Sequence, residues 1–394
     1  MSNSAQLQKP PLPHTVDDRI RWSGLGPGAD ALALAAAARD HDSLLLVVAS
    51  DTREAGRLEA EIRFFLDRES DPEVLHFPDW ETLAYDSFSP QQDIVSQRLS
   101  TLQRLPDLER GVLVAPITTL IHRIVPVDWL SGRALVLDVG DRFDLDTRKR
   151  VLEAAGYRRV ETVFEHGEYA IRGALMDLFP MGSAVPYRID LFDDEIETLR
   201  TFDPESQRSL EQVRSIRLLP AREFPLDAEA IRGFRDRWHQ QFSGDPHACP
   251  MYQDICQGTP APGIEYYLPL FFSELAALTD YLPEQTAAIF CGDPAASARS
   301  FQEEVRERYE NLRFDRERPL LPPEALFLEV DELFIALGRF GQVRLRDSQQ
   351  SSRSSEFRFE VTALPHLELD AKSDQPTAKL LHYLADGDEK TGLP

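Results

Sequence analysis

The segment Gly24-Leu-Gly-Pro-Gly28-Ala-Asp-Ala-Leu32 has the glycine content of a phosphate-binding loop. Such a loop cradles phosphates with backbone N–H groups. It also needs a Lys for the β/γ-phosphates and a Ser or Thr for magnesium. Here Ala31 and Leu32 stand at those two places, and Asp30 would repel phosphate. A Gly-rich helix entry is the reading the residues favour. The nearest imitation of a magnesium-binding carboxylate pair is Val330-Asp-Glu-Leu-Phe334, which a helix start explains as well. His247, Cys249 and Cys256 are close in sequence but lack the Cys-x-x-Cys spacing of a zinc site. Cys291 precedes Gly292 after an apolar run, without a recognisable His partner, and no Gly-x-Ser-x-Gly elbow occurs. The sequence therefore names no catalytic residue, no metal ligand and no cofactor.

A different chemistry is written in Tyr187-Arg-Ile-Asp-Leu-Phe192. With the period of two of a strand, Tyr187, Ile189 and Leu191 share one face, a core face. Arg188, Asp190 and Phe192 share the other, which should meet solvent. Arg and large aromatic residues are enriched where proteins bind one another. Arg172, on the neighbouring β-like stretch, could join them across strands. The competing reading pairs Arg188 with a carboxylate such as Asp190 and covers Phe192 with a loop.

Several elements must position these residues. Helices are expected over residues 29–39, 53–68 and 93–105, alternating with short apolar strands over 44–48, 74–77 and 111–117. That alternation predicts an α/β domain with a mostly parallel sheet. Near residue 135 the texture changes. A helix from about 146 ends at Gly156, and β-like stretches follow over 162–164, 169–179, 186–192 and 197–202. They predict a small α+β domain. Beyond 220, helices are expected over 228–242, 295–311 and 332–337, with strands over 287–291 and 325–330, packed back on the first domain. Residues 1–17 read as a loose arm and Asp347 to Ser355 as a linker by composition, with a short amphipathic helix over 379–384.

Composition narrows the class. The chain has 394 residues, enough for two to four domains, with 42% apolar residues to build cores. Its net charge is −24, negative in every third of the chain, which disfavours tight sequence-independent binding to nucleic acid. Three cysteines are too few for a disulfide framework and indicate a reducing compartment. No apolar run approaches the ~20 residues of a membrane-spanning helix, and the N-terminus is not a signal peptide.

Longer stretches resemble a known family. They are Asp79-Trp-Glu-Thr-Leu-Ala-Tyr-Asp-Ser-Phe-Ser-Pro90, Glu165-His-Gly-Glu-Tyr-Ala-Ile-Arg-Gly-Ala-Leu-Met-Asp-Leu-Phe-Pro-Met-Gly182, Pro186-Tyr-Arg-Ile-Asp-Leu-Phe-Asp-Asp-Glu-Ile196, Leu218-Leu-Pro-Ala-Arg-Glu-Phe-Pro225 and Gly263-Ile-Glu-Tyr-Tyr267. In this order they resemble the N-terminal module of the bacterial transcription-repair coupling factors (Mfd), which is similar to the excision-repair protein UvrB. The resemblance covers roughly residues 18–345. It implies a degenerate helicase-like α/β fold, domains 1a and 1b, with a small α+β domain 2 inserted. The corresponding boundaries are an arm over 1–17, domain 1a over 18–134, domain 2 over 135–220 and domain 1b over 221–346. A linker over 347–372 and an incomplete domain 3 or tail over 373–394 complete the chain. It further implies a cytoplasmic, non-catalytic module that has lost its nucleotide site. Domain 2 would recruit UvrA through Arg172, Arg188 and Phe192, and the C-terminal domain of the full-length factor would mask that surface until the factor engages stalled RNA polymerase. The polymerase-binding and translocase regions would lie beyond this chain. Two alternatives stay open: a UvrB-like, ATP-dependent helicase fragment binding nucleotide at Gly24–Leu32, and a purely structural or autoinhibitory module.

Overall fold

The computed structural model describes residues 9–346, 356–361, 377–378 and 381–383. Fifteen strands among them are β1 (Arg19–Ser23), β2 (Leu44–Ala49), β3 (Glu73–His76), β4 (Gly111–Pro116), β5 (Leu135–Asp138), β6 (Arg158–Arg159), β7 (Glu168–Arg172), β8 (Leu175–Leu178), β9 (Tyr187–Phe192), β10 (Glu195–Phe202), β11 (Ser209–Val213), β12 (Ser215–Leu218), β13 (Ala287–Phe290), β14 (Gly341–Arg346) and β15 (Glu356–Arg358).

Seven of these form one all-parallel sheet in the order β15-β1-β14-β13-β2-β4-β3. The unbroken apolar run of β2 has a simple cause. Leu44, Leu46 and Val48 enter the core on one face, and Leu45, Val47 and Ala49 the core on the other. Both faces are covered, as a parallel sheet requires. Helices Ala29–Asp40 and Thr52–Phe65 bury Leu34, Ala37, Leu58 and Ile62 on one side. Helix Gln92–Arg104 buries Val95, Leu99 and Leu102 on the other. β13 and β14 follow the insertion, so the C-terminal part packs back on the first α/β unit as expected and completes its sheet.

Between these segments, β5 and β12 pair antiparallel, with Leu135 opposite Leu218. The strands that enter and leave the insertion therefore clasp each other. Beyond the clasp, six strands form a second sheet in the order β11-β10-β9-β8-β7-β6, antiparallel except for β6–β7. Its core face carries Tyr169, Met176, Ile189, Leu191 and Leu199. A buried ion pair ties the insertion's exit to the α/β unit. Arg98 donates from Nε to Glu223 Oε1 at 2.6 Å, with both side chains at most 3% exposed. Gly182 N–H also donates to Ser96 Oγ at 2.8 Å.

Several expectations need correction. The 169–179 stretch is not one strand but the hairpin β7–β8, broken where Gly173 takes φ +64°. Residues 162–164 pair with no strand; the short β6 precedes them. The strand expected over 325–330 is instead the end of helix Pro323–Leu326 and the start of helix Val330–Leu337. From residue 9 the arm is not loose, since Trp22 Nε1 donates to the Pro11 carbonyl and Leu12 packs beside Trp22. Nor is the whole 347–372 segment a linker. β15 lies on β1, and Phe359 is buried edge-on against Trp22, with ring centroids 5.6 Å apart. Residues 1–8, 347–355, 362–376 and most of 379–394 lie outside the described residues. Of the helix expected over 379–384, Leu381–Tyr383 are described, helical and exposed.

Candidate functional site

The hydrogen-bond registers place Ala170, Asp177, Arg188 and Arg200 in one row across β7, β8, β9 and β10. Arg172, Leu175, Asp190 and Thr198 form the next row on the same face. Phe192, two residues beyond Asp190 on β9, has the same parity. It stands 69% exposed where β9 turns into β10, and Asp193 makes that tight turn with φ 54°.

Arg188 is not a free cation. It donates to Asp177 through Nε at 2.7 Å and Nη2 at 3.0 Å, a bidentate pair. Its Nη1 reaches the Gln207 carbonyl and Ser209 Oγ, and its guanidinium lies 4.9 Å from the centre of the Phe202 ring. The hydrogen-bonded carboxylate of Asp177 pushes the Arg188 pKa up. Only 17% of the Arg188 side chain is exposed, and only 4% of Asp177. Arg172 is the accessible cation at 48%; its Nη1 stands 4.0 Å from Asp177 Oδ2, and its Nη2 donates to the Glu161 carbonyl. The two arginines thus meet at one buried carboxylate. Phe192 makes no such contact and is not covered by a loop. Segment 160–164 crosses elsewhere on this face, where Val160 and Val163 pack on Ala170 and Phe202.

The competing reading therefore holds for Arg188, which does pair with a carboxylate, though it is Asp177, and fails for Phe192. Asp190 instead accepts from Thr198 Oγ1 at 3.0 Å and lies 3.7 Å from Arg200. Asp177 is the residue that sequence reasoning missed. Leu175-Met-Asp-Leu178 does place an acid among apolar residues, but only the β7–β8 hairpin register puts it on the face of Arg172; along one continuous strand the two would face opposite ways.

The glycine-rich segment does link β1 to the helix Ala29–Asp40, the position of a phosphate loop. Its chemistry is opposed. Asp30 Oδ1 accepts from the Ala31 N–H at 2.8 Å, within the first helical turn. Asp30 also pairs with Arg57, which Glu54 and Glu61 hold as well, at 2.6–2.7 Å. The adjoining cavity, about 690 Å³, is lined by Gly26, Asp30, Glu54, Arg57 and Asp293 among others. Of the two arginines that line it, Arg57 is engaged by three acids, and Arg344 is exposed beside the Phe290 ring.

Cys291 is buried, and burial pushes its thiol pKa far up, the opposite of an activated nucleophile. Among the described residues, no group of three His, Cys, Asp or Glu side chains is placed to hold a metal. No helix among them is long and apolar enough to cross a membrane.

A helicase-like α/β unit carrying a clasped, inserted antiparallel sheet is the class defined by this architecture. Residues 135–224 match the UvrB interaction domain family, which coincides with the insertion and its exit. Over 374 residues the chain is 46% identical to the transcription-repair-coupling factor of Escherichia coli (strain K12), covering 95% of this chain and 32% of that relative. The Haemophilus influenzae transcription-repair-coupling factor is 43% identical over 378 residues, with the same coverage of each chain. That of Myxococcus xanthus is 31% identical over 348 residues, covering 82% of this chain and 28% of the relative. Over nearly its whole length the chain is thus similar to the N-terminal part of transcription-repair-coupling factors. It spans about a third of the length of these relatives.

Proposed function

We propose that this chain is the module through which a transcription-repair-coupling factor recruits UvrA for nucleotide excision repair. One observation carries the reading. Inside the segment matching the UvrB interaction domain, a single sheet face combines the half-exposed Arg172, the braced Arg188 and the uncovered Phe192. Such a face suits a partner offering carboxylates to the arginines and an apolar pocket to the phenylalanine. The division into domains 1a (18–134), 2 (135–220) and 1b (221–346) goes with it, the β5–β12 clasp supporting the boundaries of domain 2.

The module acts in the cytoplasm and is not catalytic. Support for the second point lies at the glycine-rich segment, where the Asp30–Arg57 pair and surrounding acids disfavour a polyphosphate. In the longer factor the same Arg172–Phe192 face is masked by the C-terminal domain, an autoinhibition relieved when the factor engages stalled RNA polymerase. Polymerase and DNA are contacted by regions outside this chain. Two titrations test the proposal. UvrA is expected to bind the chain, and magnesium-ATP is not. Binding of ATP without UvrA would replace this reading by that of a helicase fragment.

A further inference from the structure

Asp177 occupies an unusual place on the recruiting face. It sits on β8, with Arg188 directly opposite on β9 and the small Ala170 directly opposite on β7. Arg172, two residues further along β7 on the same face, brings Nη1 to 4.0 Å from the Asp177 carboxylate. The carboxylate is 4% exposed and lies against a guanidinium on the same sheet face. It offers both oxygens to Arg188, in the fork geometry that a guanidinium matches and an ammonium does not. Phe202 and the Gln207 carbonyl close the remaining sides of Arg188. One buried acid therefore fixes one arginine and draws the second towards it.

We propose that Asp177 is a positioning residue for partner recognition: it locks Arg188 and orients Arg172, so that both guanidinium groups meet the partner pre-ordered. This rests on the UvrA reading for the identity of the partner. Long arginine side chains lose rotamer freedom on binding, and a side chain ordered beforehand has less to lose. Asp177 makes no contact with UvrA on this account and acts through the arginines.

The test uses the whole chain with Asp177→Asn, Arg188→Ala and the double variant. In the free protein, the Arg188 Nε–Hε proton is expected to exchange slowly with water in the wild type and rapidly in Asp177→Asn. Against UvrA, Asp177→Asn is expected to raise Kd about tenfold or more. In the Arg188→Ala background the same change should add less than about threefold, a non-additivity that general loosening of the sheet does not produce. Arg188→Lys keeps the charge and the Asp177 carboxylate but loses the bidentate fork; it decides the matter if Asp177→Asn fails to fold, and should weaken UvrA binding nearly as much as Arg188→Ala. Asp177→Asn or Arg188→Lys binding within twofold of wild type, while Arg188→Ala binds weakly, would overturn the positioning role. Additive losses would do the same. If wild type does not bind UvrA at all, the recruitment reading fails. The exchange measurement then still decides whether Asp177 locks Arg188, and unchanged exchange in Asp177→Asn refutes it.

Discussion

Arg98→Met is the change whose consequence is best defined by the structure. Arg98 joins helix Gln92–Arg104 to Glu223, just past β12, with the two side chains 1% and 3% exposed. It also donates Nη1 to the Pro78 carbonyl at 2.8 Å and lies 4.2 Å from the Phe77 ring centre. Methionine keeps much of the stem's packing and removes the charge. Among the described residues, Glu223 is then left in the interior with the Trp80 indole N–H, 3.4 Å away, as its hydrogen-bond donor. Breaking a buried pair in this way costs about 3–5 kcal/mol, a large part of the roughly 5–15 kcal/mol that holds a domain together. Urea unfolding followed by tryptophan fluorescence measures it as a lower midpoint at unchanged slope. Arg98→Met/Glu223→Gln should recover about half of the loss, because the stranded charge is gone and the indole keeps its acceptor. The reasoning is refuted if Arg98→Met costs under about 1 kcal/mol, or if the double variant is no more stable than the single one.

Other outcomes follow from the same contacts. Burial pushes the Glu265 pKa up to about 7, although Ser89 Oγ donates to it at 2.9 Å. The folded state thus binds the extra proton between the unfolded carboxylate range and about pH 7, and stability falls as pH rises through that window. Glu265→Gln should remove about 3 kcal/mol of this slope between pH 5 and 8, read from unfolding midpoints. His122, packed between Trp80 and Phe327, is pushed down to about 4 by burial. Its neutral form is favoured in the fold, so its contribution is complete above about pH 6.5 and is lost as pH falls towards 4. His122→Phe should flatten the acid limb of the stability profile. Arg188→Ala, which strands Asp177, should cost about 3 kcal/mol in a denaturation series. Arg172→Ala, removing a half-exposed partner, should cost under about 1 kcal/mol.

Much of the parallel sheet was legible because burial on both faces writes itself as an unbroken apolar run, as in β2 and β4. Helix Thr52–Phe65 was legible from Ala55, Leu58 and Ile62 at helical spacing, and all three are buried. What stayed hidden lacks that local pattern. β11 is an exposed, polar edge strand. β15 follows a segment whose composition reads as linker, and just past it Phe359 is buried against the distant Trp22. The clasp of β5 and β12 joins residues about eighty positions apart, a pairing no local period encodes.

The site divides in the same way. Strand parity put Arg188 and Phe192 on one face, and the sheet register supports that. It could not reveal that Arg188 is spoken for by Asp177 while Arg172 and Phe192 remain accessible. This changes how the surface should be probed. Loss of Arg188 mixes a folding effect with a binding effect, because it strands a buried acid. Phe192, exposed and without a side-chain partner among the described residues, separates the two.

The most direct measurement is therefore calorimetric titration of UvrA with this chain and with Phe192→Ala, alongside their unfolding midpoints. The account expects wild type to bind and Phe192→Ala to bind about thirtyfold more weakly, the effect of losing an anchor worth about 2 kcal/mol. Their midpoints should agree, since a side chain 69% exposed contributes little to the fold. Equal affinities for the two folded proteins, or no binding by wild type, would contradict the claim that this face recruits UvrA.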